Sequence, residues 1–142
     1  MNIGLIAHDA KKELLVQFCI AYSGILEEHT LCATATTGNL IIQKTGLTVQ
    51  TFLPGAGGTQ QIGAMISCGE IDLLLFFRNP ISRKHNEPDE SDILRLCDSH
   101  NIPVATNIAT AEALILALKR GDLDWRKSRT ENTFIDLFGM EM

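Results

Sequence analysis

The chain has 142 residues, 45% hydrophobic and 20% charged, with a formal net charge of −5. That length suits one domain that buries its core without disulfides or metals, and the acidic balance argues against a nucleic-acid partner, which needs a basic face. No apolar run approaches the roughly 18 residues of a membrane span, and no basic stretch followed by an apolar one opens the chain, so a cytoplasmic, membrane-free protein is expected.

The first apolar run, Ile3 to Ala7, reads as a strand. Lys11 to about Leu26 carries Leu14, Leu15, Phe18, Cys19 and Tyr22 at helical spacing. Leu31 to Ala35 is a second strand, and Thr37 to Lys44 a short helix stopped by Gly46. Thr48 to Leu53 is a third strand, followed by a glycine-rich loop over Pro54 to Gly58 and a helix from Gln60 to Cys68. Ile71 to Phe77 lacks polar alternation beyond Asp72, as a strand covered on both faces does. A polar loop spans Arg78 to Asp89, with Arg78, Arg83 and Lys84 as charges open to solvent or to an anionic ligand. Ser91 to about His100 is a helix with Asn101 as its C-cap, Pro103 to Thr106 a fifth strand, and Thr110 to Arg120 a last helix before Gly121. Residues 122 to 142 show no clear pattern, so the expected organisation is a domain over 1–121 and an extension over 122–142 that packs on it or on a neighbouring subunit. In that extension Arg126, Lys127 and Arg129 are candidates to reach a neighbour's phosphate site.

The four cysteines, Cys19, Cys32, Cys68 and Cys97, form no CxxC pair and match no zinc module. Buried, reduced thiols are expected, and no metal.

Strands alternating with helices imply a three-layer doubly wound α/β fold with a parallel sheet. Ligands bind such sheets beyond the carboxyl ends of the strands. Five groups then share one rim: His8-Asp9 with Lys12, the turn Thr34 to Asn39, the stretch Pro54 to Gln61, Arg78-Asn79-Pro80, and Thr106-Asn107. The hydroxyls and amides of Thr36, Thr37 and Gly38 at a helix start suit a phosphate, or Thr36 or Thr37 is simply an N-cap. The glycines let backbone approach a ligand, or supply positive φ. His8 with Asp9 reads as a general acid and its orienting carboxylate, or as a polar turn.

These strings resemble methylglyoxal synthases. The similar segments are Ala7-His8-Asp9 with Lys12, Ala33 to Leu40, Gly57 to Ala64, Ile71 to Phe77, Glu87-Pro88-Asp89, Leu94 to Leu96, and Asn101 to Asn107 with Ala109 to Ala111. The resemblance implies a five-stranded sheet of order 3-2-1-4-5 in a homohexamer. It implies conversion of dihydroxyacetone phosphate to methylglyoxal and phosphate, without cofactor. It places His8, Lys12, Thr34, Thr36, Thr37, Gly38, Pro54 and Gly55 on substrate and phosphate, and Asp9 on the reacting part.

Some positions depart from the family pattern. The catalytic aspartate after the two glycines is replaced by Thr59, which is expected to cap the helix from Gln60. The histidine before Pro88 is replaced by Asn86, with His85 beside it, and the aspartate after the fourth strand by Asn79. Leu53-Pro54-Gly55 stands where the family has Ser-Gly-Pro. The phosphate-holding half of the site is thus kept, while the proton-moving half is largely neutral. Three readings stay open: a methylglyoxal synthase using Asp9 or His85, a non-catalytic module binding phosphate or a sugar phosphate, and a lyase or isomerase on another phosphorylated substrate.

Overall fold

The computed structural model describes residues 1–81 and 90–128. Five strands are paired throughout in parallel: β1 (Asn2–Ala7), β2 (Thr30–Ala33), β3 (Val49–Thr51), β4 (Leu73–Phe77) and β5 (Val104–Ala105). Their order is β3-β2-β1-β4-β5, as the family resemblance implied. The helices are α1 (Lys12–Ala21), α2 (Ser23–Leu26), α3 (Ala35–Thr45), α4 (Gly55–Ser67), α5 (Glu90–Ser99) and α6 (Ile108–Arg120).

The order places a topological switch between β1 and β4. From β1 the chain steps outward to β2 and β3; it then returns to the other side of β1 and steps outward again. Right-handed crossovers therefore put α1 and α3 on one face and α4 and α5 on the other. The two buried clusters follow this division. Leu15, Phe18, Ile41 and Ile115 pack with Ile3, Leu5 and Phe77 on one face, and Ile62, Ile66, Ile93 and Cys97 pack with Ile6, Leu74 and Phe76 on the other. Both faces of β1 and β4 are covered, which is why neither strand shows polar alternation. Gly4 on β1 eases the packing there: a Cβ would stand 3.0 Å from a Leu74 methyl of β4 and 3.5 Å from Ile62 of α4.

Several boundaries differ from the sequence expectation. The long first helix is two, broken at Tyr22, because Ser23 and Gly24 are weak helix formers. The third helix begins at Ala35 with Thr34, not Thr36 or Thr37, at the N-cap. The glycine-rich stretch is no loop: Pro54 is the N-cap of α4, and Gly55 to Gly58 form its first turn. Thr59 consequently lies inside the helix rather than capping it, and its hydroxyl donates back to the Gly55 carbonyl at 3.2 Å. Gly46 ends α3 at φ 74° and Asn101 follows α5 at φ 54°, each in the left-handed region that suits a helix stop. Three cysteines are buried, but Cys68 is exposed, because it falls at the C-cap of α4 beyond the packed stripe. No helix among the described residues is long and apolar enough to cross a membrane.

Candidate active site

The carboxyl edge of the sheet around the switch point gathers most of the expected residues. His8 follows β1 directly and remains in the ladder, its N–H donating to the Phe77 carbonyl at 3.0 Å. Alternation along β1 turns His8 to the α4/α5 face, where its ring meets Phe76 edge-on at 5.5 Å and is almost wholly buried. The Asn79 N–H donates to His8 Nδ1 at 2.9 Å. An Nδ1 that accepts carries no proton, so the neutral ring bears its proton on Nε2. Glu90, the first residue of α5, brings Oε2 to 3.9 Å from that Nε2 and Oε1 to 3.7 Å from Arg78. The sequence reading did not single out Glu90, because nothing local shows that the start of α5 meets the end of β1.

Asp9 opens a 3-10 turn over Asp9–Lys11 and forms an ion pair with Lys12 at 2.7 Å. Asp9 is thus engaged with Lys12, and the backbone contact that orients the His8 ring comes from Asn79, in the segment after β4.

The start of α3 sits beside β1, since Ala33 is in register with Leu5 and adjacent strands lie roughly 5 Å apart. The Gly38 amide does not face a ligand: it donates to the Thr34 carbonyl at 2.8 Å, the first bond of the helix. The Ala35 amide reaches the Leu53 carbonyl at 3.3 Å. Helix geometry leaves the Thr36 and Thr37 amides without intrahelical acceptors, at the positive end of an 11-residue helix. Thr36 is exposed, while Thr37 is fully buried and its hydroxyl has no partner among the described residues. An unpartnered buried hydroxyl is costly and points to a missing hydrogen-bonding group. Gly38 is small for a packing reason: a Cβ there would stand 2.6 Å from Thr51 Cγ2.

The glycine-rich stretch also serves the protein's own backbone. A Cβ on Gly58 would stand 1.9 Å from the Leu53 carbonyl oxygen and 2.9 Å from Thr34 Cγ2. These approaches pin α4 against the ends of β3 and β2. Gly55 takes φ 61° and Pro54 is exposed beside it. Thr59 lines a cavity of about 340 Å³ between α4 and α5, together with Asp92 and Ile93 of the first turn of α5. A neutral hydroxyl at that position cannot take up a proton near neutral pH.

His85, Asn86, Arg83 and Lys84 lie outside the described residues, as does Arg129. Arg126 is buried and donates to the Asn101 carbonyl, at the opposite end of the sheet from His8. It therefore lies away from this rim, against the segment that follows α5. Among the described residues no group of three His, Cys, Asp or Glu is placed to hold a metal ion. Burial pushes the Cys19 thiol up to about 12 and Cys32 to about 11, and burial with the nearby Asp98 charge pushes Cys97 to about 11, so none is a nucleophile here.

Comparison with known proteins bears on this geometry. The family model described as an MGS-like domain matches residues 15–106. A methylglyoxal synthase of Caldicellulosiruptor saccharolyticus is 62% identical over 128 residues, covering 89% of this chain and 91% of that protein. One from Oceanobacillus iheyensis is 55% identical over 128 residues, with the same shares. The crystal structure of a methylglyoxal synthase from Elizabethkingia anophelis superposes with a TM-score of 0.78 at 39% identity, covering 80% of this chain and 76% of that one.

Proposed function

The chain belongs to the methylglyoxal synthase family, and on that premise we propose that it converts dihydroxyacetone phosphate to methylglyoxal and inorganic phosphate. The observation that carries this reading is the pairing, on one rim, of an anion cradle with a buried imidazole whose Nε2 bears the proton. The Thr36 and Thr37 amides, the Thr37 hydroxyl and Lys12 hold the ester phosphate. Thr34, buried at the N-cap, lines the same cradle. The His8 Nε2–H donates to the ketone oxygen and stabilises the negative charge that develops there.

The reaction proceeds by removal of a proton from the hydroxymethyl carbon. The C–H pair forms a carbon–carbon double bond, and the ketone oxygen becomes the enediolate oxygen. The C–O bond to phosphate then breaks, and the hydroxyl proton leaves with it as hydrogen phosphate. Protonation of the remaining methylene carbon gives methylglyoxal. No cofactor enters this balance. The proposal extends to a cytoplasmic homohexamer, whose size sedimentation would measure.

Purified protein incubated with dihydroxyacetone phosphate tests the reading directly. Methylglyoxal and phosphate released in equal amounts above the buffer rate support it; a rate equal to buffer rejects it. One observation favours a second reading, a phosphate-binding module without turnover: the Thr59 hydroxyl is committed to the Gly55 carbonyl and supplies no base. That reading predicts a thermal upshift with phosphate but no methylglyoxal.

A further inference from the structure

Thr59 stands where the resemblance implies a catalytic aspartate, and its hydroxyl, which donates to the Gly55 carbonyl, supplies no base, so the proposed reaction needs another proton acceptor. Asp9 is engaged by Lys12 at 2.7 Å. Glu90 is placed differently. Its side chain is 24% exposed, and its two oxygens divide between Arg78 and His8 at 3.7 Å and 3.9 Å. Neither distance is a hydrogen bond, so the carboxylate is held electrostatically while its lone pairs remain open to a substrate. It stands near the switch point, between His8, which follows β1, and Arg78, which follows β4.

We propose that Glu90 is the catalytic base of this chain, taking the proton from the hydroxymethyl carbon while His8 Nε2–H donates to the adjacent ketone oxygen. This rests on the reaction proposed above. The separation suits the task, because the two acceptor and donor atoms must each lie roughly 3 Å from neighbouring substrate atoms. The Glu90 carboxylate becomes a carboxylic acid as the enediolate forms, and it returns the proton to the methylene carbon after phosphate has left. Arg78, 3.7 Å from the other carboxylate oxygen, keeps the carboxylate oriented between turnovers.

The test separates proton removal from phosphate loss. Dihydroxyacetone phosphate is incubated in heavy water with the full chain. Proton NMR follows deuterium entry at the hydroxymethyl carbon, and a colorimetric assay follows methylglyoxal. The unaltered chain is expected to catalyse exchange. Glu90→Gln is expected to lower exchange by at least 100-fold, with the phosphate dissociation constant unchanged within twofold and an unaltered melting temperature. Glu90→Asp is expected to retain measurable exchange, and Asp9→Asn to retain more than Glu90→Gln. Exchange without methylglyoxal would uphold Glu90 as a base while rejecting the synthase reading. Exchange undiminished in Glu90→Gln, exchange lost in Asp9→Asn alone, or no exchange by the unaltered chain would each overturn the assignment.

Discussion

The backbone N–H of Asn79 donates to Nδ1 of His8 at 2.9 Å, tying the residue after β1 to the segment after β4. One main-chain donor thus sets the tautomer of the ring at the switch point. Replacing His8 by Phe leaves that donor without its acceptor, which costs about 1–3 kcal/mol, and removes the proton donor to the ketone, which lowers turnover about 10²–10⁴-fold. His8→Gln, whose amide oxygen can accept from Asn79, is expected to recover stability in urea titration but not activity.

Thr37 offers a cleaner separation of binding from folding. Its buried hydroxyl lacks a partner among the described residues, so Thr37→Val is expected to stabilise the unliganded chain by about 1 kcal/mol. The same change removes a donor to phosphate and is expected to weaken phosphate binding about tenfold. Melting curves with and without phosphate read both effects at once; a variant that binds phosphate as tightly as the original would place the ligand elsewhere.

Thr59→Asp places a carboxylate in the second turn of α4, on the wall of the cavity that α5 closes. Near a helix N-terminus the charge is tolerated. Turnover of dihydroxyacetone phosphate is expected to rise by about tenfold or more, within the range of a general base. No gain in initial rate would mean that position 59 does not face the reacting carbon.

Two glycines make opposite predictions for stability. Gly58→Ala drives a methyl into the Leu53 carbonyl, and overpacking of this kind costs about 3 kcal/mol. Gly24→Ala in α2 meets nothing within 4 Å and is expected to add about 0.5–1 kcal/mol by restricting the unfolded chain. Thermal melts of the two variants should move in opposite directions.

The buried thiols make stability fall in alkali. The folded values of Cys19, Cys32 and Cys97 lie near 11–12, above the ordinary 9.0. Above that ordinary value the unfolded chain has lost protons that the folded chain still holds, so the unfolded state gains. Stability is therefore complete below pH 9, declines from pH 9 to about 12, and levels off once the folded thiols ionise. Denaturant titrations across that range check the sign. Native alkylation is expected to modify Cys68 first, the exposed member of the four.

Much of the architecture was legible because it rests on periodicity. The runs Ile3 to Ala7 and Ile71 to Phe77, the stripe through Leu15 and Phe18, and the stops at Gly46 and Gly121 each express a local rule. Errors fell where a local rule had two solutions. The run Gly55 to Gly58 reads as a loop by composition, yet it is helical, and at Gly58 only a residue without a Cβ allows α4 to lie against Leu53. Thr34, Thr36 and Thr37 are equally good caps by residue type; the bond from the Ala35 amide to Leu53 selects the first.

The sequence by itself determined the elements and their order along the chain, since hydrophobic spacing and turn chemistry act between near neighbours. Only the tertiary structure decided that Glu90 faces His8, that Asn79 sets its tautomer, that the Gly38 amide is spent inside α3, and that Arg126 lies at the far end of the sheet. Those relationships join residues far apart in the chain. They come into being only when parallel strands bring their ends to one edge, which depends on chain topology rather than on any neighbouring residue.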